Sequence, residues 1–185
     1  MNTKLTLIAG GLVSAILVTA CSHNIPAEEI SKAEAETPTV YYSMTEIYQP
    51  NFQGVADTAF YAYNDDGELD ASLLTDEQWS LMKESAEVLR DTSLAFANED
   101  NIRVAEPGEE LFNEGQGFIP SEAVQSVIDE NPDGFRAMMM YLSEEADRTL
   151  EAIEARDAQA LSDSSDALYS ACKSCHVAYW YPGRK

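Results

Sequence analysis

Basic side chains are scarce in this 185-residue chain. Eleven Lys and Arg stand against 33 Asp and Glu, a formal net charge of -22. Phosphate backbones are gripped by basic surfaces, so nucleic acid is excluded as a partner. The acidity is spread along the chain rather than confined to a tail, which reads as a solubilising surface; a protein partner would bring a basic docking face. Cysteine is nearly absent as well. There are three, and the two that fall late in the chain are only three positions apart, which is not the pattern of a disulfide framework. No run of alternating β-branched residues occurs, no nucleotide-binding glycine motif and no internal repeat. These absences leave an all-α chain with one domain-sized core.

Long apolar stretches are missing too, with one exception. Lys4 is followed by an apolar run from Leu5 to Val18 and then small residues before Cys21. The run is too short for a comfortable membrane span and has the shape of a bacterial export signal. Val18-Thr19-Ala20-Cys21 resembles a lipobox, in which the cysteine becomes the lipidated first residue of the mature protein. The expected organisation is a lipoprotein signal peptide over 1–20, a flexible tether over 21–40 carrying lipid on Cys21, and a helical domain over 41–185. Ser22 favours the outer membrane, with the domain in the periplasm. His23 falls in the Ala/Glu/Pro-rich tether and reads as solvated.

Helical periodicity fills most of the remainder. Met44, Ile47, Tyr48, Val55, Ala59 and Phe60 recur at helical spacing over 41–62, and Pro50 and Gly54 predict a kink or break there. Thr75 with Gln78 forms a capping-box pattern ahead of Trp79, Met82, Ala86 and Leu89. Residues 99–120 read as a long loop. A short helix capped by Ser121 stops before Pro132. A helix capped by Asp133 carries Phe135, Met138, Met139, Leu142, Ala146, Leu150 and Ile153 on one face. The last helix, capped by Asp157, carries Leu161, Leu168, Cys172, Cys175 and Tyr179. So short a connection makes the last two helices antiparallel neighbours, and a four-helix bundle is the simplest architecture. The Phe135, Met138–Met140 and Trp79 side chains read as core.

The remaining motif is Cys172-Lys173-Ser174-Cys175-His176. A thioredoxin-like dithiol sits at a helix start in a βαβ setting, whereas this pair lies near the end of a helix in an all-α chain. A structural zinc site needs four ligands, and the folded region offers three. Covalent haem requires what is present: two thiols for the porphyrin vinyl groups and an adjacent histidine for the iron. Export agrees, because c-type haem is attached outside the cytoplasm.

The stretch from Glu154 through the CxxCH to Tyr179 resembles the last helix of class II c-type cytochromes, the group containing cytochrome c′ and its low-spin relatives. The match is most specific over 133–180 and weaker upstream. The resemblance implies a four-helix bundle with one covalent haem c near the C-terminal end, with thioethers on Cys172 and Cys175 and His176 as iron ligand. It implies single-electron transfer with a redox partner protein rather than enzyme chemistry, and it allows a homodimer. One departure is Trp180, where cytochrome c′ tends to carry a basic residue. A methionine on the second iron face would favour electron transfer; an open face would give a module that binds NO or CO. Met44 is well placed if 41–62 is the first bundle helix, and Met82 if 75–97 is; the family's usual methionine also aligns with Tyr48. Arg103 and Arg136 are candidate partners for the haem propionates.

Overall fold

The computed structural model describes residues 37–111 and 115–183, which belong to the unit Glu36–Lys185. The expected signal peptide, Cys21, His23 and most of the expected tether lie outside the described residues. Ordered packing starts earlier than residue 41. Thr39 Oγ1 accepts the Tyr42 N–H, and the N–H groups of Val40 and Tyr41 donate to the carbonyls of Arg103 and Val104. Thr39 and Val40 are buried, so the end expected for the tether is part of the fold.

The first rod of the bundle consists of α1 (Val40–Tyr42), a π-helical turn (Ser43–Tyr48) and α2 (Gln49–Ala59). The backbone stays right-handed helical through both junctions, at Tyr42, Ser43, Tyr48 and Gln49. The helix is therefore not broken there, and a wider turn stands just ahead of Pro50. Pro50 has no N–H to give the preceding turn, and the Gln49 N–H just before it reaches back five residues to Met44 O. Pro50 then occupies the first turn of α2, where a missing donor is harmless. The helix also continues through Gly54. A Cβ there would meet Ser85 Cβ at 3.3 Å and Ser85 Oγ closer still, so the bare backbone allows α2 to approach α3 (Asp76–Ala97).

Two short 3₁₀ turns, Phe60–Ala62 and Ala71–Leu73, connect the rod to α3. The predicted capping box is present: Thr75 Oγ1 accepts the Gln78 N–H, and Gln78 Oε1 accepts the Thr75 N–H. The long loop leads into α4 (Ser121–Glu130), α5 (Pro132–Ala155) and α6 (Ala158–Tyr179). Two predicted caps differ. Pro120, not Ser121, precedes α4, and no side chain caps it. Asn131, not Asp133, caps α5 by accepting the Gly134 N–H, because Pro132 with its fixed φ supplies the first helical residue. Asp157 caps α6 as expected, and Arg156, left-handed at φ 50, closes α5 just before it.

The long helices form an antiparallel ring. The α2–α3 side is marked by Tyr48 with Ser93 and Gly54 with Ser85. Phe96 and Phe135, 6.2 Å apart edge to face, join the end of α3 to the start of α5, while Arg156 pairs with Asp76 at the opposite end. The short connection folds α6 back on α5. Phe52 against Tyr169 and Tyr63 bonded to Ser162 close the ring between α2 and α6. The result is an all-α multi-helix bundle, with α4 packed beside it against α5 and α6. Its core contains the predicted stripes, among them Trp79, Met82, Leu89, Phe135, Leu142, Leu161 and Leu168. Each large apolar side chain taken out of water contributes about 1.5–3 kcal/mol.

The tightest helix approach is a stability test. Gly54→Val should lower unfolding free energy by about 1–3 kcal/mol, read by urea denaturation, through overpacking against Ser85. Adding Ser85→Ala should recover part of that loss.

Candidate functional site

Antiparallel pairing brings the start of the first rod beside the end of α6. At that end the rod, the loop around Glu110 and Leu111, α4, α5 and α6 enclose a cavity of about 890 Å³. That volume lies in the upper part of the roughly 300–1,000 Å³ range of small-molecule and cofactor sites. Phe52, Val124, Ile128, Phe135 and Leu142 make its walls largely apolar. Cys172, Cys175 and His176, the three motif residues, all line it. Their spacing explains this: positions i, i+3 and i+4 project from one face of α6.

The thiols are not built for redox exchange. Burial pushes Cys172 up to about 11 and Cys175 up to about 12. They lie in the last turns of a helix, where the dipole also disfavours a thiolate. A structural zinc site fails on ligands, since no group of three or more His, Cys, Asp or Glu among the described residues is arranged to hold a metal ion. Burial lowers the His176 pKa, and the imidazole makes no hydrogen bond to another described residue, so its nitrogens are uncommitted. The backbone there is tightly held: His176 O accepts the N–H groups of Trp180 at 2.9 Å and Tyr181 at 3.0 Å.

The two candidate methionines separate. The first rod occupies the first bundle position, so Met44 lines the cavity. Met82 is fully buried in the core elsewhere and does not line it, which corrects its alternative placement. Met139 and Phe135 do line it, although the sequence presented them only as core. Tyr48 lines it as well, with its hydroxyl 3.1 Å from Ser93 Oγ and 3.8 Å from Met139 Sδ. Ser93 Oγ itself donates to Leu89 O at 2.7 Å, so the Tyr48 hydroxyl is the donor to Ser93. Ser93 carried no sequence signal; only the α2–α3 contact reveals it.

Arg103 and Arg136 do not line the cavity. Arg103 holds Glu106 and Thr37 O; Arg136 holds Asp133, Asp100 and the Glu99 carbonyl. The expected propionate partners are thus engaged by local acids and loop carbonyls. Among the described residues, Lys173 is the one Lys or Arg outside any ion pair, and it lines the cavity.

The family described as cytochrome C′ matches residues 70–180. The chain belongs to the cytochrome c′ family. It is therefore a haem-binding electron-transfer module and not an enzyme. No curated protein and no solved structure matches the chain. Among the described residues no helix is long and apolar enough to cross a membrane. The cavity fits a haem of this family on its own features. It is large and apolar, and it presents from one helix face two thiols and an imidazole that has no hydrogen-bond partner among the described residues.

Tyr48 gives this site a pH signature. Burial raises its pKa well above the ordinary value near 10. The neutral phenol is then favoured in the folded state, so stability is fully present below about pH 10 and falls as pH rises above it, where only the unfolded chain ionises. In urea titrations between about pH 9 and 11, Tyr48→Phe should flatten that alkaline decline.

Proposed function

We propose that the protein is an exported, lipid-anchored monohaem cytochrome that carries single electrons on the periplasmic side of a bacterial membrane, the outer membrane being favoured. One observation carries this reading: both thiols and the adjacent imidazole of the CxxCH line one apolar cavity of cofactor size. Cys172 and Cys175 would hold the haem through thioethers to its two vinyl groups. His176 would supply an imidazole nitrogen to the iron. When bound, the haem provides a one-electron iron couple. The protein holds it in a low-polarity site and limits the access of water. Met44, across the cavity on the first rod, is the candidate for the second iron face, and a six-coordinate iron would favour electron transfer over gas binding. The acidic exterior favours a redox partner with a basic docking face. Lipid on Cys21 would keep the module at the membrane.

Absorption spectra of the protein purified from its own membrane test the reading. Covalent haem with a six-coordinate low-spin spectrum and resistance to carbon monoxide in the reduced state is the expected result. Rapid, tight carbon monoxide binding would instead assign a five-coordinate gas-binding module. His176→Ala should abolish the native spectrum, whereas thiol oxidation without haem absorbance would refute the haem reading. Cys21→Ser should move the protein from the membrane to the soluble fraction, as followed by immunoblot of separated fractions.

A further inference from the structure

An imidazole that binds a metal usually donates its second ring N–H to a carboxylate, a carbonyl or water. That bond fixes the plane of the ring and increases its electron donation. His176 has no such acceptor among the described residues. Its ring is held by other rings instead. Trp180 meets it edge to face at 5.3 Å with an interplanar angle of 75°, and Tyr181 lies 6.2 Å away. Both rings are brought round by the end of α6, where their N–H groups converge on His176 O.

A second segment fixes this arrangement from outside. Ile119 N–H donates to Trp180 O at 3.0 Å, which pins the loop before α4 against the helix end. That loop lays Phe118 on Trp180 at 5.0 Å and on Tyr181 at 5.4 Å. Trp180 is thus clamped between His176 and Phe118.

We propose that Trp180 is the positioning residue for His176: it fixes the imidazole plane by packing and keeps water from the ring N–H, in place of a hydrogen-bond acceptor. This rests on the haem reading above. An imidazole without an acceptor donates less electron density, and a dry ring environment disfavours the more highly charged ferric iron. Both effects raise the reduction potential. Trp180 therefore acts on the iron without touching it.

The test uses the full-length, haem-loaded protein and its Trp180→Ala, Trp180→Phe and Phe118→Leu variants. Trp180→Ala should shift the midpoint potential downward and alter the electron paramagnetic resonance g values of the oxidised form, as water reaches the imidazole and the ring turns. Trp180→Phe should restore both toward wild type. Phe118→Leu, which leaves α6 intact, should produce a smaller shift of the same sign and serves as the test if Trp180→Ala fails to fold. Unchanged potential and g values in both Trp180→Ala and Phe118→Leu would overturn the proposal while leaving the haem reading in place. Wild-type protein without covalent haem would overturn both.

Discussion

The site depends on one packing constraint: the first and last helices of the bundle must lie side by side and antiparallel. Cys172, Cys175 and His176 bring three reactive groups to one face of α6, but only half of a cavity. The opposite wall comes from Met44, Tyr48 and Phe52, more than a hundred residues earlier. Phe52 against Tyr169 fixes the two rods together at the cavity wall, and Tyr63 with Ser162 does so away from it. The connection between α5 and α6 cannot do this, because it sets only that pair. Closure of the ring through α3 determines which early residues reach the C-terminal motif, and hence that Met44 rather than Met82 lines the cavity.

Charge has a smaller part in holding the fold together than its abundance suggests. The ion pairs of Lys83, Arg90, Arg103, Arg136 and Arg156 lie at least partly exposed. Such pairs contribute at most about 1 kcal/mol each and weaken with salt. Glu145 differs: its side chain is buried, Arg148 holds one carboxylate oxygen, and the other has no partner among the described residues. Stability rests mainly on the apolar stripes and on end caps such as Thr75 and Asp157.

Local signals were readable where local chemistry determines the outcome. The Thr75–Gln78 box, the Asp157 cap and the stripes of α3, α5 and α6 appear as patterns within a few residues of one another. The CxxCH was legible for the same reason, since its chemistry is contained in five positions. Other features depended on distance along the chain. Tyr48 meets Ser93 across 45 residues, and the Arg136 guanidinium reaches the Glu99 carbonyl across 37. No periodicity in one segment reports such contacts. Met139 illustrates a subtler limit. Its spacing correctly marks an inward-facing residue, but core and cavity wall share the same pattern. The cap of α5 was misplaced by two residues because Asn131-Pro132-Asp133 contains two good capping side chains, and the proline decides between them.

The π-helical turn between Ser43 and Tyr48 separates the register of the rod's two ends. An α-helix turns about 100° per residue, so one additional residue in a turn rotates the side chains on one side of it relative to those on the other. Val40 and Tyr41 ahead of the turn, Met44 and Tyr48 within it and Phe52 just beyond it all face the cavity; Val55 and Ala59, further along, face the bundle core. The turn works as a phase adjuster. It sets the angle at which Val40 and Tyr41 meet the cavity while Val55 and Ala59, further along the same rod, stay packed in the core.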